Sequence, residues 1–251
     1  MAFIAIHRAA TYGDVDALRR ELESGVSPDV LCPQGSVPLH LVIIYTNRGN
    51  IDNRVACVRL LIDAGANVSA ADDSNMSAIL YAAIGGCPAL VTALLDAGAD
   101  ANHRDRTNWT PLHHATYHAD SAECVRLLIN AGAALDARSE AGRTPLELCI
   151  MACQELQRGD AAGSERRRRL YPVLLRAGAP LPAEIDDADS ESLDRHAESD
   201  AYIRKLRAAG SFQNYERAQL NAIAATFAAK LPLPPELVRR VVEYAFHVGE
   251  Y

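Results

Sequence analysis

One phrase constrains this chain more than any other feature: Thr-Pro-Leu-His, an apolar run, then a glycine, repeated along the sequence. Its clearest copy is Asn108-Trp109-Thr110-Pro111-Leu112-His113-His114-Ala115, leading into Leu127-Leu128-Ile129-Asn130-Ala131-Gly132-Ala133. Copies start at Ile6-His7, Pro38-Leu39-His40, Ala78-Ile79-Leu80, Pro111-Leu112-His113 and Pro145-Leu146-Glu147. They close at Gly25, Gly65, Gly98, Gly132 and Gly178. Gly65 to Gly98 spans 33 residues and Gly98 to Gly132 spans 34. A unit of that length cannot bury its own apolar face, so at least three must stack, and five are present.

Within a unit the residues describe two short helices. Thr110 can cap a helix, and Pro111 suits its first turn, where no backbone N–H is needed. The second helix is expected at about Ala122 to Asn130, ended by Gly132, which can take the left-handed conformation at the position after the cap. Small pairs such as Ala9-Ala10 and Ala82-Ala83 let neighbouring first helices approach closely. Two units carry insertions. In the second, the excess lies near Thr46 to Asn53, between the two helices. In the fifth it falls around Gln157 to Arg169 and includes the run Arg166 to Arg169, expected to be a solvated face.

Period and phrase together resemble the ankyrin-repeat family over residues 1–182. The resemblance implies an all-α ankyrin-repeat solenoid of five repeats, two with insertions. It also gives the shared histidines His7, His40 and His113 a bracing role, bonding to neighbouring backbone. In this family partners usually contact the turn tips and the concave face. The corresponding positions are Asp73, Ser74, Met76 and Ile84 in the third repeat, and Arg106, Thr107, Trp109, Tyr117 and His118 in the fourth. Glu140 and Arg143 take those positions in the fifth. Trp109, taken as exposed beside Arg and Tyr, has the composition of an interface hot spot. The competing reading has it packed on the adjacent turn.

After Gly178 the composition changes. Residues 183–200 read as an acidic linker, rich in Asp and Glu. Residues 201–251 read as a small C-terminal helical segment, with helices at Tyr202 to Leu206 and Tyr215 to Ala229 that place Leu220, Ile223 and Phe227 on one face. A terminal amphipathic run follows, with Leu237, Val241, Tyr244 and Ala245 at helical spacing. Leu233-Pro234-Pro235-Glu236-Leu237, with Val241-Val242, resembles the opening of an F-box. The shortened, F-box-like PRANC segment that ends poxviral and some bacterial ankyrin proteins is similar. Leu231 to Pro234 also resembles part of a SOCS box. There, however, Glu216 stands near the expected Cys and Arg240 replaces the usual Tyr. Both resemblances imply docking onto a cullin-RING ubiquitin ligase, with Leu233, Pro234, Leu237, Val241 and Val242 engaging a Skp-type adaptor. The alternative is a tail that only caps the last repeat.

Composition narrows the remaining classes. The 251 residues are 49% apolar and 23% charged, as expected of a globular chain. A formal net charge of −7 with no long basic stripe argues against binding a phosphate backbone. The six cysteines show no C-x-x-C pair, which points to a reducing compartment, cytoplasmic or nuclear, including that of a host cell for an effector. Met1 to Arg8 is too short and polar for a signal peptide, and no apolar run of membrane length occurs. His113, His114 and His118 cluster without convergent Cys, Asp or Glu ligands, so no metal is expected. Nor does any nucleophile–base set or phosphate loop appear. The expectation is a monomeric, non-enzymatic protein-binding adaptor with no cofactor.

Overall fold

The computed structural model describes residues 4–45, 50–118, 121–157, 167–181, 201–230 and 236. The chain divides into two compact units, Met1–Ala183 and Glu184–Tyr251. Among the described residues the secondary structure is helical, with no named strand.

In the first unit five helix pairs follow one another: α1 (Ala5–Tyr12) and α2 (Val15–Glu23), α3 (Pro38–Ile44) and α4 (Ile51–Asp63), α5 (Ala78–Gly85) and α6 (Pro88–Asp96), α7 (Pro111–Tyr117) and α8 (Ala122–Asn130), α9 (Pro145–Gln157) and α10 (Leu170–Arg176). First helices pack on first helices and second on second, giving two layers. The second unit holds α11 (Ala201–Ala208) and α12 (Phe212–Lys230), near the ranges expected.

The core is columnar because the sequence period equals the stacking period. Ile6, Leu39, Ile79, Leu112 and Leu146 occupy one register position and are all essentially inaccessible. In the second-helix layer Cys57, Leu90, Cys124 and Leu170 form one buried column, and Leu61, Leu94, Leu128 and Leu174 another. Each buried leucine contributes about 1.5–3 kcal/mol relative to exposure. The thiols of Cys57 and Cys124 are pushed up by burial, that of Cys57 to about 11, so they behave as small core groups.

The closing glycines do what their placement requires. Gly65, Gly98 and Gly132 stand at φ 86°, 85° and 84°, a backbone region that side chains disfavour. Before each first helix of repeats two to five lies a turn with the same conformation at one position: Gly35, Asn75, Asn108 and Gly142 all have positive φ. Asn is the commonest non-Gly residue to tolerate it.

The insertion in the second repeat departs from expectation. Ile51-Asp52-Asn53 is not connecting loop but the first turn of α4, which runs 13 residues against 9 in α6 and α8. Asn50 starts it early by accepting the Asp52 N–H at 2.8 Å. Counted back from the closing glycine, Arg54 therefore stands where Asp14, Cys87 and Ser121 are N-caps. Its side chain is fully buried. The guanidinium donates to Ala10 O at 3.0 Å, Val42 O at 3.1 Å and Thr11 O at 2.8 Å. These carbonyls end α1 and α3, where the helix dipole favours a cation. The fifth repeat likewise spends much of its excess on length, α9 having 13 residues where α7 has 7.

A candidate partner-binding surface at the turns of repeats three to five

The bracing histidines behave as the resemblance implied. In repeat one the Ile4 N–H donates to His7 Nδ1 at 3.3 Å, which leaves Nε2–H to donate to Val30 O at 2.9 Å. In repeat four Thr110 N–H reaches His113 Nδ1 at 3.1 Å and the ring's Nε2–H donates to Arg143 O at 3.0 Å. His40 pairs with Ala70 O at 2.9 Å. Each ring thus ties a first helix to the turn of the next repeat. Glu147 does the local half of this work in repeat five, accepting Thr144 N–H at 2.8 Å.

Burial holds the rings of His113, His40 and His114 neutral at neutral pH. Burial pushes His113 down to about 4 from its ordinary 6.5, and lowers His40 and His114 as well. Between about 4 and 6.5 the unfolded chain therefore binds more protons than the folded one, so stability falls as pH falls through that window. His113 alone should cost about 2 kcal/mol between about pH 7.5 and about pH 5. Urea unfolding midpoints at the two pH values would measure it, and equal midpoints would contradict the assignment.

The turns carry the residues that do not repeat. Asp105 organises the fourth: Oδ1 accepts from Thr107 N at 2.8 Å, Thr107 Oγ1 at 2.7 Å and Trp109 N at 2.9 Å. Oδ2 accepts from His114 Nε2 at 2.9 Å. Burial works to raise the Asp105 pKa, but bonds from Thr107, Trp109 and His114 outweigh it and hold it below the usual carboxylate range. The third turn repeats the device, with Asp72 accepting from Ser74 N, Met76 N and the Tyr81 hydroxyl. In both repeats a turn carboxylate grips the first helix nine residues on, which fixes the turn tips.

Trp109 is half-buried rather than exposed. Its ring lies 5.0 Å from that of His114, 5.3 Å edge-on from Tyr117 and 5.9 Å from His118. His118 in turn stacks on His114 at 5.6 Å. The tryptophan thus packs on the end of its own first helix, and one part of it stays open to solvent. Such aromatic groupings are held in place before any partner arrives.

The other expected residues are all at least partly open to solvent. Asp73 and Ser74 are exposed on the third turn, and Met76 and Ile84 are half-buried. Arg106, Thr107, His118 and Glu140 are exposed, and Tyr117 and Arg143 are half-buried. The Glu140 N–H donates to Thr107 O at 2.8 Å, so the fourth and fifth turns run side by side. Asp73, by contrast, lies against the preceding turn, its carboxyl about 3.0 Å from where a Cβ on Gly35 would stand.

Two features escaped the sequence reading. Ile44 and Met151 share the register position of Ile84 and Tyr117, four residues after His40, Glu147, Leu80 and His113 respectively, so one exposed and three half-buried apolar side chains mark successive first helices. Register against the shared histidine was the signal for them. Arg167, taken as part of a solvated run, is half-buried and donates to His118 O at 3.2 Å. It stands near the start of α10, which packs on α8 and α9 beside α7. Among the described residues no group of three or more His, Cys, Asp or Glu is placed to hold a metal ion. No described helix is long and apolar enough to cross a membrane.

The two helical layers, the buried columns and the braced turns define a stacked helical-repeat protein that works through its surface. The family model described as ankyrin repeats, in three copies, matches residues 6–105 and again 86–157, more than half of the chain. The protein belongs to the ankyrin-repeat family, whose repeats are protein-interaction modules.

Proposed function

We propose that this is a non-enzymatic adaptor that grips a partner protein on the turns and first-helix ends of repeats three to five. The observation that carries this reading is the Trp109 cluster, an aromatic group seated on a rigid turn among residues that break the repeat pattern. Trp, Tyr and Arg dominate interface energetics, and pre-ordering them lowers the cost of binding.

The second half of the reading concerns the tail. Leu233, Pro234, Leu237, Val241 and Val242 lie outside the described residues, and their role as a Skp-type adaptor contact rests on their F-box-like sequence. The division of the chain near Ala183 favours a tail that is a module of its own. Helix-in-groove docking suits the amphipathic spacing of the run. Co-purification with Skp-type adaptors tests it: the wild-type chain should retain one and a Leu237→Arg variant should lose it. Equal association, or equal absence of it, would contradict the tail assignment. If the tail instead caps the repeats, truncation after Lys230 should lower the thermal midpoint sharply.

A further inference from the structure

The charges around Trp109 point to a particular kind of partner. We propose that the paired fourth and fifth turns take an acidic segment of a partner protein, which sets an apolar or aromatic side chain against Trp109 and Tyr117. This rests on the reading of the turns as the partner surface.

Residues 103–109 and 137–143 carry Arg104, Arg106, Arg138 and Arg143 against two carboxylates, Asp105 and Glu140, in a chain whose net charge is −7. Asp105 is already engaged by His114, Thr107 and the Trp109 N–H. Among the described residues none of the four arginines has an ion-pair partner; Arg126–Glu123 is the pair formed there, and the neutral His114 ring reaches Asp105 as a hydrogen bond. Arg104 donates to Arg138 O at 3.1 Å and Arg138 to Gly142 O at 2.8 Å. Those carbonyls position the guanidinium groups and leave their charge uncompensated.

Guanidinium forks set in two adjacent, hydrogen-bonded turns suit carboxylates, which they bind bidentately. The apolar anchor follows from the neighbouring rings, since the Trp109 cluster offers a surface with no charge to satisfy. The basic area ends at the third turn, where Asp72 and Asp73 stand. A polynucleotide needs a continuous basic track for its phosphates, and these two turns do not supply one.

The test is selection of a phage-displayed random peptide library on the full-length wild-type chain, on Trp109→Ala and on the double variant Arg106→Glu, Arg143→Glu. Wild-type pools should be enriched in Asp and Glu flanking Leu, Phe or Trp. A synthetic peptide from the pool should change the fluorescence of Trp109, the sole tryptophan. Its affinity should fall roughly tenfold or more in the double arginine variant, and also on raising NaCl from about 0.05 M to about 0.5 M. Thermal unfolding of both variants shows whether the fold is kept, and binding is compared only between folded chains. Pools that need Trp109 but show no acidic bias would overturn the acidic partner and leave the surface assignment standing. Pools indifferent to Trp109→Ala, or no enrichment at all, would overturn both. Displacement of the peptide by single-stranded DNA at lower concentration than by the peptide itself would replace the acidic protein segment with a nucleic acid.

Discussion

Replacing Arg54 with alanine should destabilise the repeat unit by about 3–5 kcal/mol and lower its thermal midpoint by roughly 10 °C. The side chain is fully buried, and it satisfies carbonyls at the ends of two first helices in different repeats. Truncation would leave Thr11 O and Val42 O without this donor, each buried group so orphaned costing about 1–3 kcal/mol, and would open a cavity, while Ala10 O keeps the Gly13 N–H. Relief of the buried charge offsets part of the loss. Arg54→Lys keeps the charge but lacks the planar fork that spans Ala10, Thr11 and Val42, so it should fall between wild type and alanine. The cost should appear first as loss of protection in α1 and α3, readable by hydrogen exchange, because the bonds join those helices. A midpoint within about 2 °C of wild type would show that the repeats do not depend on this tie.

The reading of Arg54 also shows where sequence pattern stops informing. Anything repeated was legible: the two-helix unit, the column at Leu39, Leu112 and Leu146, the glycines that end second helices, and the bracing role of His7, His40 and His113. Repetition supplies several copies of one local problem, and the shared solution stands out from the noise. An insertion has no second copy. Asn47, Asn50 and Asn53 are all capping residue types, so the sequence alone does not say whether the extra residues lengthen a loop or add a turn of helix. The same limit applies to α9, whose added length also has no second copy in the sequence. At the candidate surface the sequence indicated which positions vary, including Trp109, Tyr117 and Arg106. It did not indicate that Asp105 anchors both Trp109 and His114, since that requires the turn to fold back over α7. Nor did it show that Trp109 is partly covered by its own helix.

Trp109→Ala is expected to abolish most partner binding while leaving the repeats folded. The indole is half-buried against His114, Tyr117 and His118, so its loss should cost the fold only about 1 kcal/mol, the scale of the ring contacts it makes. Binding should suffer far more, by about 2 kcal/mol or above and thus roughly 30-fold or more in affinity, as for anchoring aromatics at the centre of interfaces. Asp105→Asn should weaken binding less, since it loosens the turn and the His114 contact without removing the ring. Both effects follow from one claim, that the turns and first-helix ends of repeats three to five are where a partner sits. Photo-crosslinking tests it most directly, with benzoylphenylalanine placed at Tyr117 or, on the second-helix layer, at exposed Arg59. A discrete protein adduct is predicted from position 117, lost when Trp109→Ala is added, and absent from position 59. Adducts from position 59 alone, or adducts from position 117 that are indifferent to Trp109→Ala, would contradict it.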